Sequence, residues 1–81
     1  MDSISSATDS WTKYATQGGS VINDASNKLQ AEMQKEQPNM GVVLEQQRNI
    51  QKGQRMLQTA SNMLQTIHQI LQSVIQKLQV R

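Results

Sequence analysis

The residues able to do chemistry are few and scattered. His68 is the single histidine, and there is no cysteine. A metal centre needs several ligands at defined spacing, and no Asp, Glu or Cys shares a helical face with His68. No nucleophile stands beside a base, and no carboxylates are paired for acid–base work. Gly18-Gly19 precedes an apolar stretch. Without a strand before it or a loop-spaced Lys after it, the pair reads as a break between elements, not a phosphate cradle. Catalysis, metal binding and cofactor binding are not expected.

Binding chemistry is better supplied. Arg48, Lys52 and Arg55 fall at i, i+4 and i+7 on one helical face. They could contact phosphates, or form a solvated face or inter-subunit ion pairs. No base-stacking aromatics accompany them, and the net charge is only +2, so no nucleic-acid partner is expected. Met33, Met40, Met56 and Met63 are either ordinary packing residues or an adaptable partner groove. Gln51, Gln58, Gln65, Gln72 and Gln79 recur every seven residues. This column is either a neutral solvent-facing surface or the uncharged lining of a conduit, along which a passing chain would not stick.

Three segments must carry these residues. Residues 1–19 are rich in Ser, Thr, Asp and Gly and end at the glycine pair, which predicts a mobile arm with at most a helical turn around Trp11 and Tyr14. From Ser20, Val21, Ile22, Ala25, Leu29 and Met33 share a face at helical spacing, predicting an amphipathic helix over 20–36. Pro38-Asn39 then makes a turn over 37–40, because proline disfavours helix at Gln37 and removes a donor. A long helix follows over 41–80.

That last segment has the clearest pattern. Val43, Ile50, Leu57, Leu64, Leu71 and Leu78 recur every seven residues, as the a positions of a heptad. The d positions are Gln46, Gly53, Ala60, Ile67, Val74 and Arg81. Before residue 56 this seam is thin. After it, Met56, Met63, Ile70 and Ile75 widen the apolar face beyond what one partner helix needs. A helix over 20–36 spans about 25 Å and one over 41–80 about 60 Å at 1.5 Å per residue. The short helix would cover only the first half of the long one. The bare half, Leu57, Ala60, Met63, Leu64, Ile67, Ile70, Leu71, Val74, Ile75 and Leu78, is expected to bind other copies of the chain.

Composition agrees. In 81 residues there is no Phe, and Trp11 and Tyr14 are the only aromatics, a poor supply for a core that must stand alone. Residues 1–37 hold five carboxylates against three lysines, whereas residues 38–81 hold five cations against Glu45. These unlike halves can attract within or between subunits. The longest apolar run is Val42-Val43-Leu44, so no membrane insertion is expected. Residues 1–10 lack the basic and apolar regions of a cleaved signal, leaving a cytoplasmic protein or one exported by another route.

The arrangement resembles the needle filament proteins of bacterial type III secretion systems. The resemblance rests on a polar N-terminal arm with Trp11, a first amphipathic helix, the turn at Pro38-Asn39, and a long second helix. It extends to Ala60-Ser61-Asn62, similar to an Asn/Ser-rich stretch of the family, and to the aliphatic and basic close Val74 to Arg81. Where the family often has a second proline and a Tyr-rich middle, this chain has Met40-Gly41 and no aromatic between Arg48 and Gln58. Rod and pilus subunits of the same machines share the pattern. The resemblance implies an all-α hairpin with a mobile arm and a long C-terminal helix, assembling into a hollow helical filament. It implies export to the cell surface without a cleaved signal, and partners in the secretion base, tip and chaperones. Part of Arg48, Gln51, Arg55, Gln58, Gln65 and Gln72 would then face the lumen. A small helical binding module, or a closed homo-oligomeric coiled coil, is the alternative.

Overall fold

The computed structural model describes residues 2–80, with side chains from 3 to 79. Two helices make up the fold: α1 spans Asp2–Met33 and α2 spans Met40–Val80. They pack antiparallel into a rod of 69 × 16 × 14 Å. Its radius of gyration, 18.9 Å, far exceeds the ~12 Å of a compact chain of this length. No third layer covers the pair, so each helix keeps one side in solvent.

The expected arm over 1–19 and helix over 20–36 are in fact one helix, beginning at Asp2 and ending at Met33. Two physical reasons account for the difference. Ile4, Trp11, Gly18, Ala25 and Glu32 form a seven-residue stripe, and Thr8, Ala15, Ile22 and Leu29 run beside it; all are buried or half-buried. Packing along this stripe outweighs the weak helix propensity of Ser, Thr and Gly. The hydroxyls also find partners within the helix: Thr8 Oγ1 donates to the Ile4 carbonyl and Thr16 Oγ1 to the Thr12 carbonyl, each at 3.0 Å.

Gly18-Gly19 is therefore no break. Gly18 is buried in mid-helix against Gly53 of α2. Stepping seven residues along both helices from that contact places Ala25 opposite Gln46 and Glu32 opposite Asn39. The last pair is joined by a hydrogen bond of 2.8 Å from the Asn39 N–H to Glu32 Oε1. In the other direction Trp11 comes opposite Ala60.

The connection is short, and hydrogen bonds close both of its ends. The Gln34 N–H donates to Gln30 and the Lys35 N–H to Glu32, the latter a tightened final turn. Asn39 caps α2: its Oδ1 accepts from the Gly41 N–H at 2.9 Å, and its carbonyl accepts from the Val43 N–H at 3.1 Å. Pro38 and Asn39 lie in this connection, which covers residues 34–39 and not the expected 37–40: α1 ends three residues, and α2 starts one residue, earlier than expected.

The length argument changes with the arm. At 32 residues α1 is about 48 Å long and α2, at 41 residues, about 62 Å. The first turns of α1 reach Leu71, which shares a groove with Ile4, Ser5, Thr8 and Asp9. Only residues 72–80 of α2 extend past α1, not the whole second half.

Candidate assembly surface

The interior seam is built from small residues. Among the described residues the buried apolar side chains are Ala25, Val43 and Ala60, and no large side chain is fully buried. Small side chains let the backbones approach closely but remove little apolar area from water. Gln46, 6% exposed, receives a long 3.5 Å contact from Asn49 Nδ2. A hairpin held this way is a weak stand-alone unit.

The expected assembly residues divide accordingly. Ala60 is 0% exposed. It belongs to the hairpin interior and is not available to another chain, because α1 runs on far enough to cover it. Leu57, Leu64, Ile67 and Leu71 are half-buried along the seam. Met63 sits at its exposed edge, while Ile70, Val74, Ile75 and Leu78 lie in the open, Leu78 at 66%. Val74 and Leu78 are the d and a positions that continue the seam past the start of α1. Ile70 and Ile75 flank it.

A second apolar cluster was not foreseen. Met33, Met40 and Leu44 bracket the turn with 58%, 63% and 51% of their surface exposed. The sequence leaves the two methionines as either packing residues or part of an adaptable partner groove. Leu44 gave a signal, since it falls outside the a and d columns within the run Val42-Val43-Leu44. Its side chain is directed away from α1.

Electrostatics at the turn hold the helix ends together. The Glu32 carboxylate lies at the C-terminal end of α1, where a negative charge is unfavourable. Lys35 Nζ, 2.7 Å from Glu32 Oε2, offsets this, and the α2 N-terminus supplies the Asn39 N–H. The Lys35 contact, then the Asn39 hydrogen bond, holds the Glu32 carboxyl below the usual carboxylate range against the opposing effect of burial. At the other end Lys77 lies in the last turn of α2, favourably placed for the helix dipole.

The expected lumen-facing residues Arg48, Gln51, Arg55, Gln58, Gln65 and Gln72 are all exposed. They occupy the back of α2, opposite the seam, and Gln58 Nε2 donates to Asn62 Oδ1 at 3.2 Å. His68 is exposed, and no group of three metal-ligating side chains occurs among the described residues. Among the same residues no helix is long and apolar enough to cross a membrane.

No protein-family model, curated protein or solved structure matches the chain.

Proposed function

We propose that this chain is a structural subunit that assembles with many copies of itself into a hollow helical filament, of the kind that forms the needle of a type III secretion system. The observation that carries the reading is the uncovered end of α2. A two-helix rod whose buried apolar side chains, among the described residues, are only Ala25, Val43 and Ala60 leaves Ile70, Val74, Ile75 and Leu78 in solvent. Burying a large aliphatic side chain is worth about 1.5–3 kcal/mol, so association offers more than the hairpin itself gains at these positions. The needle assignment comes from the resemblance in the order of segments, Trp11 and the Pro38 turn. Exported, unfolded proteins would pass along the lumen, and the secretion base, tip and chaperones would be the other partners. The filament would be extracellular and reach the surface without a cleaved signal.

Electron microscopy of purified protein across a concentration series tests this reading. Filaments with an axial channel are the expected result. Discrete closed particles would favour a homo-oligomeric coiled coil. Persistent monomers that pair with one added protein would favour a binding module.

A further inference from the structure

The rod ends in two apolar patches that are unlike each other. At one end α2 continues alone over residues 72–80, a step of about 13 Å, carrying Val74 and Leu78 with Ile70 beside them. At the other, Met33, Met40 and Leu44 surround the turn. We propose that copies of this chain join end to end, the C-terminal step of one lapping the turn end of the next. This rests on the self-assembly reading above and names the surfaces that would serve it.

Charge selects the pairing. Lys77 is exposed on the step, while Glu36 and Glu45 are exposed at the turn end; Lys35 there is already engaged by Glu32, and the exposed Arg48, one helical turn past Leu44, leaves the end acidic by one charge. Step against step would set Lys77 against Lys77. Turn against turn would gather the glutamates. Step against turn brings opposite charges together around an apolar centre, and like-charge juxtaposition disfavours the other two. The flexible side chains of Met33 and Met40 suit a contact that must mould to branched Val74 and Ile70. A contact between unlike patches at opposite ends does not close on itself, so it propagates as an open filament.

Two surface variants test the joint by sedimentation and circular dichroism at concentrations where the parent chain assembles. Leu78→Asp disables the step and Leu44→Asp disables the turn end. Each alone is expected to lose filaments and keep its helicity. Mixed in equal amounts, the two should form a 1:1 dimer of twice the monomer mass through the one intact pair of patches. If either variant loses helix, Lys77→Glu takes its place: it should lose assembly and regain it when combined with Glu45→Lys and Glu36→Lys. Filaments from Leu44→Asp alone, a purely monomeric mixture of the aspartate variants, or no rescue by the charge exchange would overturn the joint and leave the filament reading standing. A parent chain that stays monomeric throughout would overturn both.

Discussion

A Cβ on Gly53 would lie 2.7 Å from the carbonyl oxygen of Gly18 and 2.5 Å from Ile22 Cγ1. The two helices meet backbone to backbone at this point, and nothing larger than hydrogen fits. Gly53→Ala gains about 1 kcal/mol of helix propensity, yet a backbone carbonyl cannot step aside without parting the helices, and overpacking costs about 1–3 kcal/mol. We expect a net loss of about 1 kcal/mol. Gly19 has nothing within 4 Å of its Cβ position, so Gly19→Ala should stabilise by up to about 1 kcal/mol. Urea unfolding in a Leu78→Asp background, expected to keep the chain monomeric, compares them. Two variants shifting in the same direction would contradict the close contact.

The turn gives a pH dependence with a definite sign. The Glu32 carboxyl is held below its ordinary value by Lys35 and the Asn39 N–H. A group depressed on folding contributes stability that is present above its unfolded value and is lost as pH falls through its folded value. The melting temperature should therefore drop on acidification below the usual carboxylate range. Glu32→Gln should be less stable at neutral pH and flatter through that window. A parallel acid limb in the Gln variant would remove Glu32 as its source.

Asn39 acts separately, because Asn39→Ala removes the side-chain cap but leaves its own N–H for Glu32. Loss of such a cap costs about 1 kcal/mol. Thermal melts should show that loss with the acid limb unchanged in position. A shifted limb would mean that the cap also positions the carboxylate.

The two-helix architecture was legible because six apolar a positions recur without a gap from Val43 to Leu78. Pro38-Asn39 likewise marked the turn, for Pro38 has no N–H and disfavours helix at Gln37, whereas the capping role of Asn39 emerged only from the structure. The helical character of residues 2–19 was not read, although Ile4, Trp11, Gly18 and Ala25 carry the same seven-residue spacing. Composition concealed it. Glycine and hydroxyl residues break isolated helices, but against a partner a glycine becomes the contact point. Gly53 was misread for the same reason: it and Gln46 looked like a thinning of the seam, whereas both are buried at its centre. The extent of bare surface followed from the helix lengths and was overestimated because the first helix, expected over 20–36, runs from Asp2 to Met33.

Leu71 and Leu78 occupy the same heptad position and should behave differently. Leu71 is half-buried and shares a groove with Ile4 and Asp9. Leu71→Asp removes that apolar contact and adds a carboxylate near another, so it should destabilise the hairpin by about 1–3 kcal/mol. Leu78 is mostly exposed past the end of α1, and Leu78→Asp should change monomer stability by no more than about 0.5 kcal/mol. Helicity against temperature, at a concentration where neither assembles, measures both. An equal loss at the two sites would show that α2 finds a partner within the chain beyond Leu71.

The conduit reading makes the most exposed demand on the proposed filament. Gln51, Gln58, Gln65 and Gln72 lie on the back of α2, so they line a channel only where α2 is innermost. A straight helix drifts about 20° per heptad against a seven-residue column, so the column cannot face a straight axis along its whole length. Leu44 heads the same column three heptads before Gln65, about 60° away on this drift, which leaves room for an end-to-end contact at Leu44 and a channel at Gln65. The chain has no cysteine, so Gln65→Cys provides a unique attachment point. A bulky maleimide there should leave filament assembly intact and stop passage of an exported protein. The same label on Leu64→Cys, one residue away on the half-buried seam, should prevent assembly. A filament map with α1 innermost, or a Gln65 label that blocks assembly while Leu64 tolerates one, would reject the conduit.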